Sequence, residues 1–156
     1  MNALQPAPGR VFADGTLGGA GHACAVLARI LPGGFLWGCD QDRDALKVAG
    51  ERLSAVPGSA GRFATRELNF AALADWVPVE SCDGVLLDLG VSSHQLDTPD
   101  RGFSFLNSGP LDMRMSRTAP LTAADVVNGW AEEDLARVFW ELGDEPEGRR
   151  IARMIV

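Results

Sequence analysis

The feature that most constrains this chain is a strand-like run closed by a carboxylate and followed by glycines. Arg10-Val-Phe-Ala-Asp14 is short and apolar, and glycines at 15, 18, 19 and 21 follow before the pattern turns helical near His22. Such a run fits a buried strand better than a helix, and the glycines allow a tight turn that leaves N–H groups open at the helix start. The unit then recurs. Val26, Leu27, Ile30 and Leu31 keep helical spacing up to Pro32-Gly33-Gly34, and Phe35-Leu-Trp-Gly-Cys39 is a second apolar strand ending in Asp40. A helix over 43–54 carries Ala45, Leu46, Ala49 and Leu53 on one face and breaks at Pro57-Gly58. A weaker strand over 62–66, a short helix with Leu73 and Trp76, and a strand Gly84-Val-Leu-Leu-Asp88, apolar on both faces, come next. Strands alternating with helices predict an α/β fold: a doubly wound parallel sheet that binds ligands at the carboxyl ends of its strands.

From 91 to 120 the pattern changes to Gly, Pro, Ser, Asp and Arg, a loop long enough to imply function or mobility. Beyond it Thr122 and Asp125 suit a capping box, and Leu135, Val138, Phe139 and Leu142 form a helical stripe for a core or an interface. Glu147 to Val156 reads as a helix with Ile151, Met154 and Ile155 on one side and no capping residue after it. The chain is therefore expected to stop inside an element. The free edge of the fourth strand is expected to be covered by something else, and without a cover to drive self-association into a homodimer or larger species. The expected division is a sheet portion with its long loop over 1–117 and a helical portion over 118–156.

Composition narrows the function classes. Apolar residues make up 46% and charged ones 22%, which suits a soluble globular domain and excludes a disordered one. No apolar run approaches the roughly 18 residues of a membrane span, and the first ten residues lack a hydrophobic stretch behind a basic start. The expectation is a cytoplasmic protein with neither anchor nor signal peptide. Fourteen basic residues against 21 acidic ones give a net charge of −7, which argues against tight non-specific binding to nucleic acid. Local basic sites stay open: Arg101, Arg114 and Arg117 form one cluster, and Arg149, Arg150 and Arg153 another, each either a phosphate contact or a solvated face. Cys24, Cys39 and Cys82 are widely spaced and only His22 and His94 could join them, so no metal site is expected.

A strand ending in Asp14, a glycine turn, a helix and an acid at the next strand end is the general arrangement for an adenosine-containing cofactor, with Asp40 as acceptor for ribose hydroxyls. The strict dinucleotide string G-x-G-x-x-G does not match GTLGGAGHA, whereas S-adenosylmethionine, with a carboxylate and ribose but no phosphate, suits the looser turn. A purely structural turn is the alternative. Asp88, one strand over, either faces the same crevice or only caps its strand. In the crevice, a carboxylate beside a methyl donor could align an exocyclic amine and accept its hydrogen.

Asp14-Gly-Thr-Leu-Gly-Gly-Ala-Gly-His22, Gly38-Cys-Asp-Gln-Asp42 and DGVLLDLGVSSHQLDTPDRGFSFLNSGPLDMRM over 83–115 resemble the bacterial 16S ribosomal RNA cytosine-N4 methyltransferase family (MraW/RsmH type). The resemblance implies a class I S-adenosylmethionine-dependent methyltransferase fold, Rossmann-like and truncated, with the start of a helical insertion. It implies cofactor contacts at Ala20, Gly21, His22, Asp40, Phe70, Asp88 and Gln95, with Asp88 orienting the amine of a 16S rRNA cytidine. Arg101 and Arg114 would then contact phosphate. Phe103 or Phe105 would either stack on a splayed base or plug the loop onto the core. Gly19, Ala20, His94 and Ser116 stand where the family pattern carries arginine, glycine, proline and an acid, and the chain covers about half of that pattern. The alternative function is an inactive cofactor-binding fragment of such an enzyme. Taken alone, His22 reads as a helix-start residue, Phe70 as a core aromatic and Gln95 as a solvated loop residue.

Overall fold

The computed structural model describes residues 3–156, which form two compact units, one through Ser92 and one from Ser93 to Val156. Met1 and Asn2, where the expected sheet portion begins, lie outside the described residues.

The first unit is a four-stranded parallel sheet in the order β3-β2-β1-β4, built from β1 (Val11–Asp14), β2 (Phe35–Asp40), β3 (Phe63–Glu67) and β4 (Gly84–Leu86). Helix α1 (Gly21–Ile30) links β1 to β2, and α2 (Arg43–Ser54) links β2 to β3. A 3₁₀ turn over Phe70–Asp75 precedes β4. The parallel α/β sheet expected from the alternation is present, in the order that suits the Rossmann-like architecture the resemblance implies.

Its core lies where the inner faces of α1 and α2 meet the sheet. Phe12, Val26, Leu27, Ile30, Leu36, Ala49 and Leu53 are buried there, and each large side chain among them stabilises the unit by roughly 1.5–3 kcal/mol. Gly38, otherwise a weak choice inside a strand, is explained by Leu17. A Cβ at residue 38 would come within 2.7 Å of the Leu17 side chain, so the glycine lets the turn after β1 pack directly on β2. β4 is shorter than the Gly84–Asp88 strand expected: the ladder stops at Leu86, and Val85 and Leu87 are exposed at the sheet edge.

The second unit contains α3 (Ser93–Asp97), a 3₁₀ turn over Pro99–Arg101, α4 (Ala123–Gly129), α5 (Glu132–Glu141) and α6 (Gly148–Ile155). The capping box of α4 is complete: Thr122 accepts from the Asp125 N–H, and Asp125 accepts from the Thr122 N–H. α5 and α6 pack through small residues. Gly148 and Ala152 are buried, and a Cβ at 148 would meet the Phe139 Cβ at 3.0 Å. Leu135 is the buried end of the expected stripe; Leu142 is exposed, and so is Met154 on α6. The division at Ser92 falls ahead of the boundary drawn at 117. Within the second unit Arg101 ties the segment after α3 to residues 114 and 115. No helix among the described residues is long and apolar enough to cross a membrane.

Candidate active site

In the first unit the expected carboxylates converge at the carboxyl ends of β1, β2 and β4. Asp14 pairs in register with Gly38 and Leu86, and β2 runs two residues further to Asp40. The turn after β1 is bound to both neighbours: Gly15 N–H donates to the Leu86 carbonyl, and Leu17 N–H to that of Cys39.

Asp40 holds the glycine turn. Its Oδ2 accepts from the Gly18 N–H at 2.8 Å and its Oδ1 from the Asp42 N–H at 2.9 Å. A carboxylate offers about four acceptor positions, so capacity for hydroxyl donors remains. Ala20 sits in the left-handed region at φ 57° and precedes α1 without a side-chain cap, and no acid stands in the first turn. The opening N–H groups of α1 are thus available to an anion. The Ala20 methyl is fully buried in the core, so a contact there falls to its backbone. Gly21 has open space where a side chain would stand.

His22 Nδ1 lies 3.6 Å from Asp88 Oδ2, both side chains being mostly exposed. Asp14 is buried beneath them. Burial pushes its carboxyl above the ordinary range, opposed by the Thr16 N–H and by His22. Thr16 is the residue that sequence reasoning missed. Its N–H donates to Asp14 Oδ1 at 3.0 Å, and its hydroxyl oxygen accepts from the Asp88 N–H at 2.7 Å. The D-x-T spacing signals the first contact, and nothing local signals the second, whose partners are 72 positions apart. Phe70 is half-buried at the start of its 3₁₀ turn, which Asn69 caps by accepting from the Ala71 N–H. Cys39 is fully buried behind Asp40 and Asp14; burial, with those carboxylates, pushes its thiol up to about 11 and leaves it a poor nucleophile.

The other expected site residues belong to the second unit, where Arg101 departs from the surface role expected of it. Gln95 is buried rather than solvated, and its amide donates to the Met115 sulfur at 3.5 Å. Arg101 is 2% exposed, its guanidinium donating to the Arg114 and Met115 carbonyls at 2.9 Å each, so it is an internal staple and not a surface phosphate contact. Arg114 grips Asp112 through two contacts, Nε to Oδ1 at 2.9 Å and Nη2 to Oδ2 at 2.7 Å, and donates to the Ala119 carbonyl. Its charge is already answered, and that pairing holds the Asp112 carboxyl down at about 2. Phe103 lies partly buried under the Arg101 guanidinium at 5.9 Å, whereas Phe105 is 98% exposed beside an exposed Leu106. No group of three or more metal-ligating side chains occurs among the described residues.

Comparison with known proteins fits this geometry. A relative from Syntrophotalea carbinolica, named ribosomal RNA small subunit methyltransferase H, is 51% identical over 159 residues, covering 99% of this chain and 49% of its own. Relatives of the same name from Symbiobacterium thermophilum and Geotalea daltonii are 49% and 52% identical, covering 100% and 98% of this chain and 49% of theirs. This chain thus spans about half the length of the curated relatives it matches. A solved structure titled as a putative rRNA-methylase from Clostridium thermocellum aligns at TM-score 0.49 and 15% identity over 61% of this chain and 52% of that one, too slight a likeness to argue from. The model of the MraW methylase family matches residues 1–156, and the chain belongs to that family.

Proposed function

We propose that the protein carrying this chain is an S-adenosylmethionine-dependent methyltransferase acting on the N4 amine of a cytidine in small-subunit ribosomal RNA. The observation that carries the reading is the meeting of Asp40, the glycine turn and Asp88 at the carboxyl ends of the strands. In this reading the uncapped start of α1 receives the cofactor carboxylate, Asp40 the ribose hydroxyls, and Phe70 packs beside the adenine. When bound, the cofactor supplies a methyl group activated on sulfur. Asp88 accepts a hydrogen bond from the substrate amine, aligning its nitrogen, and takes the proton that the amine sheds; His22 Nδ1 stands at its other oxygen. Transfer is direct, without a covalent enzyme intermediate, and the raised thiol of Cys39 fits that. The sheet portion with its loop holds the cofactor, and the helices after residue 117 begin an insertion. Phe105 is the aromatic free to stack on a splayed base. The relatives' shared name supports an rRNA substrate, and a cytoplasmic location follows from that reading.

Calorimetric titration of the chain with S-adenosylmethionine tests the cofactor site. Weak binding is expected, abolished by Asp40→Ala; unchanged affinity in a folded variant overturns the assignment. Mass spectrometry of rRNA from a strain lacking the full gene tests the substrate, and retention of the N4-methyl mark, with no second gene for the activity, refutes it.

A further inference from the structure

We propose that Thr16 is a positioning residue that fixes Asp88 at the crevice, an inference resting on the role just given to Asp88. The β1–β4 ladder pairs Asp14 with Leu86 and adds one more bond, from the Gly15 N–H to the Leu86 carbonyl. In a regular parallel ladder the next donor, the Asp88 N–H, would bond to the Gly15 carbonyl. It turns instead to the Thr16 hydroxyl at 2.7 Å. A side chain thus replaces the backbone acceptor at this rung, the pairing ends, and the chain leaves the sheet with Asp88 at the turning point.

Thr16 suits this task because it is fixed from below. Its N–H and its hydroxyl both address Asp14 Oδ1, at 3.0 and 3.5 Å, and Asp14 is buried at the end of β1. Donating its proton towards Asp14 leaves the hydroxyl's lone pairs for the Asp88 N–H, and the β-branched side chain is stiff about χ1. Among the described residues nothing comparable restrains the Asp88 carboxylate. The side chain is 67% exposed and its contact with His22 Nδ1 is long, at 3.6 Å. Its placement is therefore set through its own peptide, which Thr16 holds. A carboxylate that must meet an amine at near-attack distance is sensitive to such placement, since a misplacement of about 1 Å can cost on the order of 100-fold in rate.

The test compares Thr16→Val, which keeps the shape and removes the hydroxyl, with Thr16→Ser, which keeps the hydroxyl, in the natural protein that carries this chain. Hydrogen exchange at the Asp88 amide is measured together with methyl transfer to small ribosomal subunits from a strain lacking the gene. For Thr16→Val, exchange at Asp88 should quicken by about tenfold and kcat fall about 10- to 100-fold, while KM for S-adenosylmethionine shifts by less than about threefold. Thr16→Ser should restore both. Unchanged exchange at Asp88 in Thr16→Val, a loss seen only in KM, or a folded Thr16→Ser no better than Thr16→Val overturns the proposal. Full kcat in Thr16→Val beside an inactive Asp88→Asn overturns it alone, whereas full kcat in Asp88→Asn overturns the role of Asp88 and this inference together.

Discussion

At the scale of single residues, Arg101 decides how the segment after α3 is built. A guanidinium at 2% exposure survives only if its donors are met, and the Arg114 and Met115 carbonyls meet it while Phe103 covers its face. Gly102 follows at φ 72°, and any Cβ there would collide with the Pro110 carbonyl at 2.2 Å, so chain reversal and arginine act as one device. Arg101→Met should lower stability by about 1.5–3 kcal/mol, the range for hydrogen bonds to charged groups. Chemical denaturation checks this, and an unchanged midpoint counts against the staple. The same variant should leave the salt dependence of RNA binding unaltered, because a lost phosphate contact would lower that slope by about one unit. Such an arginine was not legible in the sequence, where a buried guanidinium in a Gly- and Pro-rich loop looks like any surface one. Asp40 and Asp88 were legible because each closes an apolar run of the sequence, a local signal. Thr16 and Gln95 were not, their partners being distant in sequence.

At the scale of elements, the most exposed dependence on conditions lies just ahead of α4. Asp112 accepts from the Arg114 N–H, Nε and Nη2, and its carbonyl and that of Leu111 receive the Ala123 and Ala124 N–H groups at the start of α4. The Arg114 side chain is the main cause that holds the Asp112 carboxyl at about 2, below its ordinary 3.8. Asp125 is lowered in the same sense by Thr122, its partner in the capping box. A depressed carboxyl stabilises the folded state fully above the ordinary value, and that contribution fades as pH falls through the folded one. The stability gap between the wild type and Asp112→Asn should therefore be constant above about pH 5 and shrink between 3.8 and about 2. Denaturation midpoints measured across that range check it, and a gap that widens on acidification contradicts the pairing. The capping box itself was legible, since both partners lie within one turn. The Arg114–Asp112 clasp was not, because a D-x-R spacing in a loop specifies no conformation.

At the scale of the whole molecule, alternation of strands and helices foretold the parallel sheet, because each βαβ unit writes its own local pattern. The strand order and the short β4 were beyond that pattern, being set by pairing across more than 70 positions. That short strand has a consequence for association. β4 forms one edge of the sheet, bonded to β1 alone among the described residues, with Val85 54% and Leu87 44% exposed, and Leu89 more so. An edge that offers unpaired backbone groups beside apolar side chains is a template for another strand. Burying each such side chain is worth roughly 1.5–3 kcal/mol, against a net domain stability of about 5–15 kcal/mol. The chain studied by itself should therefore self-associate through β4, with no methyl transfer. Val85→Lys puts a charge on that edge and removes an exposed apolar group without touching the buried core, so it should shift the population towards monomer. Light scattering coupled to size exclusion is the measurement. A wild-type chain that runs as a monodisperse monomer, or association untouched by Val85→Lys, would place the sticky surface elsewhere, with the exposed Leu142 and Met154 of the second unit as the next candidates.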